Sequence, residues 1–187
     1  MKKTLYPILV VNGAIIILYL LSGCSLFPNT IQTPSTPVPS PASTSSVVES
    51  PNAVNFTLPD LNGNEISLSE FRGKPVLLTL FSYSCPHCRN EVPQIERIYN
   101  QYHDSKSLVV LGIGVSSSIS ELEQFRAQYG LSFPILYDPG RVVYHQFFSS
   151  GIPALVLINT LGEVAYSYNS SELSGAEIEQ LLLNHIL

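Results

Sequence analysis

The chain has 187 residues, 45% of them hydrophobic and only 12% Asp, Glu, Lys or Arg, where an ordinary soluble domain carries roughly 25% charged residues. Fourteen acids against nine bases leave a formal charge of −5, which excludes the basic footprint of a nucleic-acid binder. Three cysteines are too few for a disulfide-stapled miniprotein or a four-thiolate metal site, and being odd in number they cannot all pair within one chain.

Lys2 and Lys3 precede an apolar run from Leu5 to Leu21, the charged-then-apolar order of an export signal. The core of that run, Ala14 to Leu21, is short against the ~20 residues of a stable bilayer span. Leu21-Ser22-Gly23-Cys24 resembles the lipobox of bacterial lipoproteins, in which cleavage before the cysteine leaves a diacylated N-terminus. That resemblance implies a signal peptide over 1–23, lipidation at Cys24, and a domain held on the extracytoplasmic side of a bacterial cell membrane. An uncleaved anchor is the alternative. Burying an acyl methylene stabilises by about 0.8 kcal/mol, so two or three chains suffice for lasting attachment.

Residues 28–51 hold six prolines, six serines and four threonines, with no aromatic residue and one charge. Such a stretch buries too little apolar surface to offset its ordering entropy, and its prolines favour extended conformations. Residues 24–52 are therefore expected to be a lipidated N-terminus and tether, and 53–187 one folded domain.

From Val54 onward strands alternate with helices. Phe56-Thr57-Leu58 and Ile66-Ser67-Leu68 flank Asn62-Gly63-Asn64 and predict a hairpin. Val76 to Phe81 reads as a strand buried on both faces. Val92, Ile95, Ile98, Tyr99 and Tyr102 form one helical stripe. A buried strand follows over Leu108 to Val115, then a helix from a cap at Ser118 through Tyr129, closed by Gly130. Phe133 to Tyr137 predicts a strand, Val142 to Phe148 a helical turn or two, and Ala154 to Ile158 with Val164 to Tyr168 a strand pair. A helix from Glu172 to Leu187 ends the chain. The alternation implies an α/β fold with helices layered on a sheet. Gly112-Ile113-Gly114 lies within a strand, has no phosphate loop after it, and reads as packing.

The chemistry is expected where the first buried strand meets its helix, at Cys85-Pro86-His87-Cys88. At a helix N-terminus the unpaired N–H groups and the macrodipole favour negative charge, so the first thiol ionises readily. Two intervening residues in a helical turn bring the sulfurs within bonding distance. Cys85 is then the exposed attacking thiolate and Cys88 the resolving thiol. A purely structural disulfide is the first alternative. Zinc would need further ligands, and only the scattered His103, His145 and His185 are available. Haem attachment would need a histidine where Arg89 stands.

Over residues 53–187 the chain resembles the membrane-anchored thioredoxin-like disulfide oxidoreductases of the TlpA/ResA type. The resemblance rests on Phe56-Thr57-Leu58-Pro59-Asp60-Leu61-Asn62-Gly63, Leu68-Ser69-Glu70-Phe71-Arg72-Gly73-Lys74-Pro75 and Cys85-Pro86-His87-Cys88-Arg89-Asn90-Glu91-Val92-Pro93. Gly151-Ile152-Pro153 and Asn159-Thr160-Leu161-Gly162-Glu163 add to it. It implies a thioredoxin-like three-layer α/β/α sandwich with a central mixed sheet and an N-terminal β-hairpin extension. It also implies a glutamate, here Glu91, that moves the proton of the buried cysteine; Thr79 stands where thioredoxin has its buried aspartate. Ile152 and Pro153 match a cis-proline loop that faces the disulfide and receives substrate backbone. The chain departs from the family in having no tryptophan, with Phe81-Ser82-Tyr83-Ser84 before the motif, and in carrying His87 where proline is usual. Pro93 falls inside the motif helix, where it is expected to introduce a kink.

The resemblance implies exchange of disulfides with protein substrates, a membrane redox partner that resets the pair, and no cofactor or metal. Direction is less determined. The fold is that of reductases, including those serving cytochrome c maturation, whereas a histidine between the cysteines favours the thiolate and so a stronger oxidant. Cys-Pro-His-Cys is also the motif of DsbA-type thiol oxidases, but Cys88 to Leu108 leaves no room for their helical insertion. Peroxiredoxin chemistry is a further alternative, opposed by Leu78 and Ser82 where that family has proline and threonine. A non-enzymatic metal-binding lipoprotein is the last.

Overall fold

The computed structural model describes residues 50, 52–169 and 171–187; Cys24, the signal segment and most of the tether lie outside them. Among the described residues no helix is long and apolar enough to cross a membrane.

The elements follow as β1 (Thr57–Pro59), β2 (Glu65–Ser67), a 3-10 helix (Leu68–Phe71), β3 (Val76–Phe81), α1 (Pro86–Tyr102), β4 (Val109–Val115), α2 (Ile119–Tyr129), β5 (Ile135–Asp138), α3 (Val142–Phe147), β6 (Ala154–Ile158), β7 (Val164–Tyr168) and α4 (Gly175–His185). The main sheet has the order β5-β4-β3-β6-β7, parallel among β3, β4 and β5 and antiparallel from β3 through β6 to β7. The steps from β3 to β4 and from β4 to β5 run in one direction. Right-handed crossovers therefore place α1 and α2 on the same face, where Val92, Ile95, Leu122 and Phe125 pack with Leu77, Phe81 and Val110. Ile178 and Leu182 of α4 join that face. The hairpin, the 3-10 helix and α3 cover the other face, through Leu58, Leu68, Val143 and Tyr144 against Leu78, Leu80 and Ile113. The result is the expected three-layer α/β/α arrangement with a mixed sheet and a separate N-terminal hairpin.

Some boundaries differ from the expectation for local reasons. The hairpin pairs Thr57 with Ser67 and Pro59 with Glu65, one residue later on the first strand and one earlier on the second. Asp60 organises the turn: its Oδ1 accepts the N–H groups of Asn62 and Asn64, both at 2.8 Å. The last helix starts at Gly175 rather than Glu172, because Ser174 is its cap and forms a reciprocal capping box with Glu177. The Ser118 cap and the left-handed Gly130 stop of α2 fall where expected. α1 runs through Pro93 to Tyr102 as one helix.

On β4, Gly112 lies against the Phe81 and Phe133 rings and Gly114 against Leu122 of α2. A Cβ at Gly114 would lie 2.4 Å from Leu122 Cδ1, and one at Gly112 3.0 Å from the Phe81 and Phe133 rings. The pair serves packing, as its position in the strand suggested. Gly114→Val is expected to destabilise the fold by about 1–3 kcal/mol through overpacking. That loss would appear as a lower urea midpoint at unchanged slope; an unchanged midpoint would show that Leu122 gives way freely.

Candidate redox site

β3 ends at Phe81 and the chain turns through Ser82 to Ser84 into α1. Tyr83 N–H donates to Ser117 Oγ at 2.9 Å and Cys85 N–H to Ser82 O at 3.2 Å, so the turn is pinned to the end of β4. Cys85 is the extended cap residue of α1, Pro86 occupies the first helical position, and Cys88 N–H points at Cys85 Sγ at 3.1 Å. Proline suits that position because its missing N–H would have had no helical partner. The sulfurs of Cys85 and Cys88 are joined as a disulfide, with their Cα atoms 5.3 Å apart. Cys85 keeps 8% of its surface exposed and Cys88 none, the asymmetry needed by an attacking and a resolving sulfur.

The sheet register brings a second loop to this point. Ala154 pairs with Leu80, so the residues before β6 lie beside the end of β3. The Ile152–Pro153 peptide is cis, and Ile152 O stands 3.8 Å from Cys85 Sγ. Tyr144 holds the loop by donating its hydroxyl to Gly151 O at 3.0 Å, while its own N–H donates to buried Asp138 Oδ2 at 3.0 Å. From β7's end, Asn169 Nδ2 donates to Ser150 O at 2.6 Å. Gly151 has φ +90°, and a Cβ there would lie 2.7 Å from Asn169 O. Asp138, Tyr144, Ser117 and Asn169 were not among the sequence-derived candidates, and nothing in their local spacing marks them.

Glu91 lies one turn beyond Cys88 and is 1% exposed. Its Oε2 accepts the Leu173 N–H at 2.7 Å, and its Oε1 is buried without a hydrogen-bond partner. Burial pushes its carboxyl up from 4.5 to about 7; the Leu173 N–H opposes the rise and the Glu172 charge adds to it. On β3 the Thr79 hydroxyl is also buried without a partner, so Glu91 is the buried acid of this region and Thr79 supplies none.

Pro86 and His87 are exposed. His87 Nδ1 lies 3.0 Å from Glu172 Oε2, and Asn90 Nδ2 donates to the same oxygen at 3.0 Å. These bonds, from Asn90 first and His87 second, hold the Glu172 carboxyl below its ordinary range. Asn90, Gln94, Glu172, Leu173, Ser174 and Glu177 line an open groove of about 380 Å³ beside Glu91. Glu172 and Leu173 too escaped the sequence reading, since 82 residues separate Leu173 from Glu91. Arg89 donates to Tyr83 O at 3.2 Å and faces its ring. Among the described residues no group of three or more His, Cys, Asp or Glu is placed to hold a metal ion. His103 lies at the end of α1, His145 on α3, and His185 stacks on Tyr166.

Known proteins resemble this chain in sequence and in fold. The chain is 36% identical over 112 residues to the thiol-disulfide oxidoreductase ResA of Halalkalibacterium halodurans, a match covering 60% of this chain and 63% of the relative. It is 33% identical over 119 residues to ResA of Bacillus subtilis, covering 64% and 66%. The chain thus spans just under two thirds of the length of these curated relatives. Among solved structures, a secreted Mycobacterium tuberculosis disulfide oxidoreductase homologous to E. coli DsbE superposes with a TM-score of 0.63 at 22% identity, over 69% of this chain and 95% of that one. A thiol:disulfide interchange protein of the thioredoxin family from Chlorobium tepidum gives 0.64 at 19%, over 72% and 94%. At such identities these two establish the thioredoxin-like fold alone. The AhpC/TSA family model matches residues 51–167, reaching into β7 and spanning both the disulfide and the cis-proline loop, and the chain belongs to that family.

Proposed function

We propose that this protein is a membrane-tethered, extracytoplasmic thiol-disulfide oxidoreductase that exchanges disulfides with protein substrates and works as a reductase of the TlpA/ResA type. The observation that carries the reading is the Cys85–Cys88 disulfide at a helix N-terminus, with Ile152 O 3.8 Å from the outer sulfur. The names of the relatives support the activity, and the lipobox-like segment at Cys24 supports the tether. Apocytochrome c cysteines are the client class that the resemblance to ResA supplies.

In the reducing direction the Cys85 thiolate attacks one sulfur of a client disulfide. The client S–S bond breaks, a Cys85–client mixed disulfide forms, and the client's other sulfur leaves as a thiolate that takes a proton from solvent. Glu91, ionised, accepts the Cys88 proton, and the Cys88 thiolate attacks Cys85 Sγ. The mixed disulfide breaks, the second client sulfur leaves and is protonated, and Cys85–Cys88 is left oxidised. Two electrons have passed to the client, and a membrane dithiol partner returns them. Pro153 and Ile152, beside the outer sulfur, present the edge against which an extended client segment would lie.

A Cys88→Ala variant keeps the attacking thiol but cannot resolve. It is expected to accumulate covalent complexes with exported proteins that dissolve in dithiothreitol, visible on non-reducing gels. If none can be trapped and the wild type also fails to reduce insulin disulfides, the oxidoreductase reading fails. Peroxide consumption without thiol exchange would instead establish a peroxidase.

A further inference from the structure

A histidine between redox cysteines pulls toward an oxidant, yet the imidazole of His87 is not turned toward sulfur. Its polar partner among the described residues is Glu172 Oε2 at 3.0 Å. The polar neighbours of Cys85 Sγ are the Cys88 N–H at 3.1 Å and Ile152 O at 3.8 Å. Glu172 is itself held: Asn90 Nδ2 donates to the same oxygen at 3.0 Å, and the next residue's N–H is bound by Glu91 Oε2 at 2.7 Å. The segment before α4 is therefore fastened to the first two turns of α1 at three points.

We propose that Glu172 is a positioning residue that cancels the charge of His87 and keeps its ring off Cys85, so that the pair stays a reductant despite the histidine in its motif. The inference rests on the oxidoreductase reading above and adds what sets its direction. A Cys85 thiolate is favoured by positive charge nearby. A lone imidazolium would supply one unit. With Glu172 beside it the pair is neutral if the ring is protonated and carries one negative charge if it is not. In both states Glu172 makes the surroundings of Cys85 one unit more negative, so the sign of its effect does not depend on the protonation of His87. The other charges close by do not alter that sign. Arg89 is engaged with Tyr83, Glu177 with its own cap at Ser174, and Glu91 is common to every variant compared.

The test is the equilibrium of the full-length protein with glutathione, in which two glutathione thiols reduce Cys85–Cys88 to the dithiol and become one glutathione disulfide. Glu172→Gln retains a hydrogen-bonding side chain and loses only the charge. Solvent screens a pair this exposed, so the equilibrium is expected to move only about three- to fivefold toward the protein dithiol, making the variant more oxidising. The Cys85 thiol, titrated by thiolate absorbance, is expected to ionise at lower pH. Glu172→Ala should move both readouts in the same direction, and in a His87→Ala background the Glu172→Gln shift should shrink to the part owed to the Glu172 charge alone, because no released imidazole can then approach Cys85. No shift, a shift toward the disulfide, or an undiminished shift without His87 would overturn the proposal. If those results come with wild-type protein that equilibrates with glutathione and reduces insulin, only the role of Glu172 falls. Wild type that does neither overturns the oxidoreductase reading and this inference together.

Discussion

Replacing Cys85 by serine is expected to abolish disulfide exchange, with insulin turnover falling at least about a thousandfold if Cys85 is the nucleophile proposed above. A serine hydroxyl does not ionise near neutral pH, and an alkoxide gains little from the helix N-terminus that makes a thiol reactive. The fold should survive. The disulfide spans a sequence separation of only 3, and closing so short a loop restricts the unfolded chain by about 2 kcal/mol or less. Both faces of the sheet keep their apolar packing. The circular dichroism spectrum should therefore match that of reduced wild type while turnover vanishes. Residual turnover above the background thiol reaction would mean that Cys88 or another group initiates exchange, and would remove Cys85 from its proposed place.

The second large effect belongs to Glu91→Gln, which should slow resolution of the mixed disulfide by about 100-fold while stabilising the protein at alkaline pH. A general base contributes a factor of this order, and in the proposed mechanism the ionised form of Glu91 is the base. Because its carboxyl titrates at about 7, resolution in the wild type should rise with pH through a midpoint near that value. The midpoint should be lost in the variant. Stability runs the other way. The folded pKa lies above the ordinary 4.5, so the native state holds the proton more tightly than the unfolded chain. The resulting stabilisation is complete below pH 4.5 and is lost as pH rises through about 7. The gap corresponds to about 3 kcal/mol. Glutamine keeps an oxygen for the Leu173 N–H and never ionises, so at pH 8 Glu91→Gln should be the more stable protein by up to that amount. Near pH 4 the two should agree. Equal resolution rates with the pH midpoint intact would assign the proton to another group.

Both effects come from the first two turns of α1, yet they are not equally legible. Cys85 and Cys88 can be assigned their chemistry from position alone, because a strand that is apolar on both sides must be central, and the turn leaving it must open a helix. Glu91 can be placed beside Cys88 by helical spacing, but its titration cannot. That depends on a carboxylate with 1% exposure and one oxygen unpaired, which follows from Leu173 and α4 closing over it. Pro153 is similar. Nothing local distinguishes it from any other proline, and the approach of its loop to the sulfur, through Ile152 O, depends on β6 pairing antiparallel with β3, Ala154 against Leu80.

At the C-terminal helix the structural start, Gly175, differs from the expected Glu172 in a way that matters. Starting it at Glu172 turns Glu172 into a first-turn acid complementing its own helix dipole. In the structure Ser174 caps that helix, and Glu172 is free to reach across to His87 and Asn90. The choice between those two roles is made by a hydrogen bond to a residue 85 positions away, which no local pattern encodes.

By itself, then, the sequence determined the layered α/β fold, the buried central strands, the caps of α2, the packing role of Gly114 and the placing of Cys85 and Cys88 within bonding distance at a helix start. These follow from periodicity, capping and turn chemistry acting over a few neighbouring residues. Only the tertiary structure decided which groups surround the sulfurs: the cis Ile152–Pro153 loop held by Tyr144 and Asp138, the buried Glu91 under Leu173, and the Glu172 carboxylate that takes up His87. Burial and charge pairing depend on distances in space, and these contacts join segments that the chain order keeps far apart.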